Sequence, residues 1–239
     1  MSRKPPQPSL SDDQLTVAWQ SASLLLNYPD ERLLGQVGMI RAETRRLPEP
    51  VGGSLRAFLT HLESAPLEEL QAEYVETFDT RRRCNLFLTY FAHGDTRKRG
   101  VALLRFKQTY LRSGFVLDGS ELPDHLCVVL EYAALVDHEL GRQLMLDHRA
   151  GLELLRLSLA DMESPWSPVV DALCATFPRL RGDEQEAIRR LAAEGPPEEE
   201  VGLTPYATPG FDPGPAVPSG PPGNQGPALL PMPSFPGAR

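Results

Sequence analysis

The amino-acid sequence predicts an all-α protein: a single globular multi-helix domain of about ten helices, with a disordered Pro/Gly-rich C-terminal tail. Three observations carry this. Between residues 11 and 194 apolar side chains recur at three- and four-residue spacing, the period of helices that bury one face. No apolar/polar alternation runs long enough for a sheet, and connections are short. After Glu194 the pattern stops, because 13 of the 24 prolines and 8 of the 19 glycines fall in residues 195–239. Ordering such a backbone costs about 1–2 kcal/mol per residue, with little apolar surface to offset it. The expected organisation is a flexible N-terminus over 1–10, a helical domain over 11–194 and a tail over 195–239.

Each element has its own signal. Ser11 with Gln14 forms a capping box, and Leu15, Val17, Ala18 and Leu24 to Leu26 carry the first helix to Tyr28-Pro29. Asp30 opens a second helix that ends near Leu47-Pro48, and weaker periodicity marks a third from about Ser54 to Glu63. Pro66 begins a fourth, with Leu67, Leu70, Tyr74, Val75 and Phe78 on one stripe. The apolar run Leu86 to Phe91 is too short to type by period, and its helical surroundings favour helix. Gly94-Asp95-Thr96 caps a long helix with Val101, Leu104, Tyr110 and Leu111 inward and Gly114 as its stop. A helix opened by Pro123 and Asp124 follows. Then come one from about His138 to Met162, one from Pro168 to Phe177 and a short charged one from Asp183 to Glu194.

Bulk properties narrow the function. A net charge of −8 argues against nucleic acid as a partner, since phosphate needs a cationic surface. Cys84, Cys127 and Cys174 are odd in number, widely spaced and set among apolar neighbours, as reduced buried thiols of a cytoplasmic protein are. No apolar run of membrane-spanning length occurs, and no apolar segment follows the basic start to make a signal peptide. There is no phosphate-binding glycine loop, no nucleophile elbow, no C-x-x-C and no H-E-x-x-H, so no metal site is expected.

The most unusual segment is Glu121-Leu122-Pro123-Asp124-His125-Leu126 and the apolar helix after it. At 100° per residue, Asp124, His125, Val128, Glu131, Tyr132 and Leu135 share one face, so ionisable groups sit on a helix otherwise suited to a core. Three readings stand side by side. Asp124 is a helix cap beside a hydrogen-bonded His125; or the two form an acid–base pair, with Glu131, of a catalytic or small-molecule-binding protein; or they line a peptide groove. The clusters Arg81-Arg82-Arg83 and Arg97-Lys98-Arg99 read as solvated helix ends, or else as contacts for an anion or acidic client through Arg81, Arg97 and Arg99.

Three segments in this order resemble one family. They are Tyr74-Val75-Glu76-Thr77-Phe78-Asp79 with its arginine-rich turn, His93-Gly94-Asp95-Thr96-Arg97-Lys98-Arg99-Gly100, and Glu121 to Leu126 with Leu130-Glu131-Tyr132. Together with Leu24-Leu25-Leu26-Asn27-Tyr28-Pro29-Asp30, they resemble the nitrate reductase delta subunit (NarJ) family of TorD-like molybdoenzyme assembly chaperones, over about residues 15–180. The resemblance implies a cytoplasmic, non-enzymatic chaperone that is not part of the mature reductase. Its partner would be the apo alpha subunit of respiratory nitrate reductase, or the alpha–beta complex, gripped at the alpha subunit's N-terminal segment. It would hold no cofactor stably, assist insertion of molybdenum bis(molybdopterin guanine dinucleotide) into that client and delay membrane attachment, as a monomer or weak dimer. It also implies a peptide site at Tyr74, Phe78, Asp79, Pro123, Asp124, His125, Val128, Glu131 and Tyr132. Where many relatives carry an acid and a histidine before the His93-Gly94 turn, this chain has Tyr90-Phe91.

Overall fold

The computed structural model describes residues 10–119 and 121–194; the expected N-terminal arm and tail lie outside them. Among the described residues there are eleven α-helices: α1 (Asp12–Leu25), α2 (Glu31–Thr44), α3 (Glu49–Leu62), α4 (Leu67–Tyr74), α5 (Leu88–His93), α6 (Arg97–Arg112), α7 (Leu126–Leu135), α8 (His138–Asp147), α9 (Arg149–Asp161), α10 (Ser167–Ala175) and α11 (Gly182–Glu194). A π-helical turn, Val75–Asp79, continues α4, and a 3-10 turn, Arg82–Cys84, follows it. No sheet forms among the described residues; one isolated antiparallel bridge joins Phe87 to His125.

Local chemistry sets most boundaries. The capping box forms as expected, with Ser11 Oγ accepting from Gln14 N at 3.3 Å and Gln14 Oε1 from Ser11 N at 3.1 Å. Asp30 caps α2 through Leu33 N at 2.8 Å, and Gly114, at φ +72°, ends α6. The third helix starts earlier than its periodicity suggested, at Glu49, because Pro50 occupies the first turn, where its missing N–H costs nothing.

The helices enclose one core. α1 runs along α7, α3 packs on α10, and α9 lies against α10 and α11. Trp19 and Trp166 are fully enclosed. Their indole N–H groups donate to Thr176 Oγ1 and Leu25 O, both at 3.1 Å, so neither buries an unmet donor. Cys84, Cys127 and Cys174 are buried and free.

Four expectations change. The helix read from His138 to Met162 is two, broken at His148 (φ −108°, ψ 21°), which lets α8 pack on α7 while α9 meets α5. Val75 is exposed and Thr77 is buried in its place, since Thr77 lies seven residues from Leu70, two full turns, whereas Val75 is five away. On α6 it is Phe106 and Tyr110 that turn inward, while Val101, Leu104 and Leu111 face out. Finally, Asp124 and His125 precede α7 rather than belonging to it, because their backbone pairs with residues 86–88: Leu88 N donates to Asp124 O at 3.0 Å and Leu126 N to Leu86 O at 2.8 Å.

Candidate functional site

Asp124 joins the second and third motif segments. Its side chain is fully buried, and Oδ2 accepts from both Thr89 N at 3.1 Å and Thr89 Oγ1 at 2.5 Å. Leu88 and Thr89 open α5, so Asp124 satisfies the first amides of that helix with its backbone carbonyl and its carboxylate together. It is a helix cap, but for α5 rather than for the helix it precedes in sequence. Arg99 completes the knot. Its Nε–H donates to Thr89 Oγ1 at 3.2 Å, Nη1 pairs with Asp95 at 3.2 Å, and Nη2 stands 3.7 Å from Asp124 Oδ2. The guanidinium also lies over the rings of Phe87 and Tyr90, at 5.3 and 5.9 Å. Arg99 is therefore held inward, and the expectation that it meets an anion at the surface is corrected.

The first motif segment builds an aromatic cluster. Tyr74 packs on Phe78 with tilted rings (4.7 Å), both meet Trp166 edge-on (5.7 and 5.6 Å), and half-exposed Tyr28 meets Tyr74 edge-on at 5.4 Å. The Tyr74 hydroxyl donates to Leu26 O at 3.0 Å. Burial first, and then the nearby Cys127, Asp79 and Glu121, push its pKa far above the usual tyrosine range. Asp79 and Glu121, from the first and third motif segments, thus both act electrostatically on one hydroxyl. Both carboxylates are exposed. Glu121 also acts on His125 and, with Glu131, on Cys127. Asp79, Glu121 and Glu131 are exposed, and Tyr28 and Val75 are partly open to solvent.

The remaining expected site residues divide. Asp79 and Glu131 are exposed and Val128 is half-buried, while Tyr74 and Phe78 keep only a thin edge of surface. Pro123, Asp124, His125 and Tyr132 are buried and offer no peptide-facing surface, contrary to expectation. Tyr132 is core: its ring packs on Tyr110 at 4.6 Å and Phe115 at 5.7 Å, and its hydroxyl meets Ser113 Oγ at 2.8 Å. The His125 ring packs edge-on to Phe87 at 5.1 Å, and burial lowers its pKa against the opposing pull of Glu121 and Asp124. Arg81 and Arg97 are exposed, with Arg81 3.6 Å from Glu76. Sequence reasoning overlooked Glu121 and Tyr28. Glu121 stands in the third motif segment itself, and its charge just ahead of Leu122-Pro123 is the signal that marks it. Among the described residues no group of three or more His, Cys, Asp or Glu side chains could hold a metal ion.

Residues 44–172, which contain all three motif segments, match the nitrate reductase delta subunit family. The chain belongs to that family. It is 31% identical over 176 residues to the probable nitrate reductase molybdenum cofactor assembly chaperone NarJ of Bacillus subtilis, covering 71% of this chain and 92% of that one. To the NarJ assembly chaperone of Escherichia coli it is 34% identical over 154 residues, 63% of this chain and 65% of the relative. To the nitrate reductase-like protein NarX of Mycobacterium tuberculosis it is 39% identical over 166 residues. That match covers 70% of this chain, which spans only about a quarter of the NarX length.

Proposed function

We propose that this protein is a cytoplasmic assembly chaperone for respiratory nitrate reductase. It binds the N-terminal segment of the apo alpha subunit, holds it open for insertion of the molybdenum cofactor and delays membrane attachment, without catalysing a reaction itself. Family membership supports the chaperone role. The observation that supports the client site is that exposed Asp79 and Glu121, from the first and third motif segments, both act electrostatically on the Tyr74 hydroxyl. Glu131 and the accessible parts of Tyr28, Val75 and Val128 would add a further carboxylate and apolar area. A helical peptide with an apolar face and flanking cations is complementary to these groups.

Calorimetry with a peptide of the alpha-subunit N-terminus tests the reading. Binding without turnover is expected, and Asp79→Lys with Glu121→Lys should weaken it about tenfold or more, most clearly at low salt. A peptide that does not bind, or that binds the double variant equally well, removes these residues from client recognition.

A further inference from the structure

Helix α6 carries a feature that client binding does not use. Its sixteen residues include six cations, Arg97, Lys98, Arg99, Arg105, Lys107 and Arg112, and no acid, in a chain of net charge −8. Arg99 turns inward to Asp124; the other five are exposed. None of those five pairs with a carboxylate among the described residues. Between them run Val101, Leu104 and Leu111, which are 60%, 56% and 61% exposed, spaced three and seven residues apart along one outer face. Val116, just beyond the helix, is 73% exposed. On the helical wheel Lys98, Arg105 and Arg112 line one edge of this stripe and Lys107 the other. The inner face packs through Phe106 on His148 and Tyr110 on Tyr132, so Val101 and Leu104 stay open to solvent, while Leu111, Val116 and Lys107 border a shallow groove with Glu121 and Pro123.

We propose that the outer face of α6 docks on an anionic lipid surface. Aliphatic side chains flanked on both edges by unpaired cations are what an interfacial helix needs, since the apolar stripe enters the headgroup boundary while the cations meet lipid phosphates. The stripe holds Val and Leu with Arg97 and Gln108 among them, and lacks the aromatic anchors that concentrate energy at protein interfaces. No helix among the described residues is long and apolar enough to cross a membrane, so the contact is peripheral. This face adjoins the client site at one end, since Leu111, Val116 and Glu121 border one groove; Asp79→Lys with Glu121→Lys separates the two, because it should weaken peptide binding and leave vesicle binding undiminished.

The test is flotation of the full chain with phosphatidylcholine vesicles, with and without one quarter phosphatidylglycerol. Binding is expected only to the anionic vesicles and should disappear in 0.5 M salt. Each cation at such a surface multiplies partitioning roughly fivefold. Lys98→Gln with Arg105→Gln and Arg112→Gln should therefore lower it about a hundredfold, and the corresponding Glu variants further still. A Leu104→Trp reporter should shift its emission to the blue on vesicle addition. Circular dichroism of each variant checks the fold, which these exposed positions do not support. Equal binding to neutral vesicles, or anionic-vesicle binding unchanged in the triple variant, overturns the proposal. So does salt-sensitive binding of an acidic helical peptide to α6 with no vesicle binding, which would assign the face to a protein partner.

Discussion

Replacing Asp124 by alanine should be among the most damaging single changes in this chain. The carboxylate is fully buried, accepts two hydrogen bonds from Thr89 and stands 3.7 Å from Arg99. Hydrogen bonds to charged groups contribute about 1.5–3 kcal/mol each. Their loss also strands the Thr89 amide and leaves the Arg99 cation without its buried counter-charge. Removing one partner of such a pair typically costs about 3–5 kcal/mol, and that is the expected loss, from a total near 5–15 kcal/mol for a domain of this kind. Asparagine keeps an acceptor oxygen in the same place and loses only the charge, so Asp124→Asn should cost about 1–2 kcal/mol. Urea unfolding followed by circular dichroism measures both, with equal m-values licensing the comparison. An alanine variant within about 1 kcal/mol of wild type would refute the cap. Asparagine as costly as alanine would place the stability in the charge pairing with Arg99 instead.

Packing and burial fix three further outcomes. A Cβ on Gly141 would stand 2.4 Å from Ala133 Cβ and 2.5 Å from its Cα, so Gly141→Ala should destabilise by about 1–3 kcal/mol by forcing α8 from α7. Gly35→Ala and Gly38→Ala meet nothing within 4 Å on exposed positions of α2, and each should raise stability by about 0.5–1 kcal/mol in thermal melts. Burial lowers the pKa values of His125 and His148 in the folded state. The unfolded chain then binds more protons than the folded one just below pH 6.5, so stability is full above that pH and falls as pH drops toward the folded values. The slope is at most about 1.4 kcal/mol per pH unit for each histidine. His125→Gln should flatten part of this acid limb, and an unchanged profile would show that His125 does not contribute to it.

Some of this protein was legible from residues alone, because the chemistry involved is local. The helical class, the capping box at Ser11, the cap at Asp30 and the stop at Gly114 each depend on side chains within a few residues of the backbone groups they satisfy. The family too was legible, since its motifs lie in order along the chain. What only the tertiary structure decided was partnership at a distance. α6 has two apolar stripes, and period cannot say which one meets the core; contact with His148 and Tyr132 chose Phe106 and Tyr110 and left Val101, Leu104 and Leu111 outside. Asp124 reads as a cap from sequence and is one, but the amide it holds is Thr89, thirty-five residues earlier. Tyr132 and Glu131 are neighbours in sequence, yet one is core and the other surface, because Tyr110 and Phe115 cover the face of α7 that carries Tyr132 and not the one that carries Glu131. A side chain's type states which contacts would satisfy it. Which of them it finds depends on non-local packing, and a short window of sequence carries no record of that.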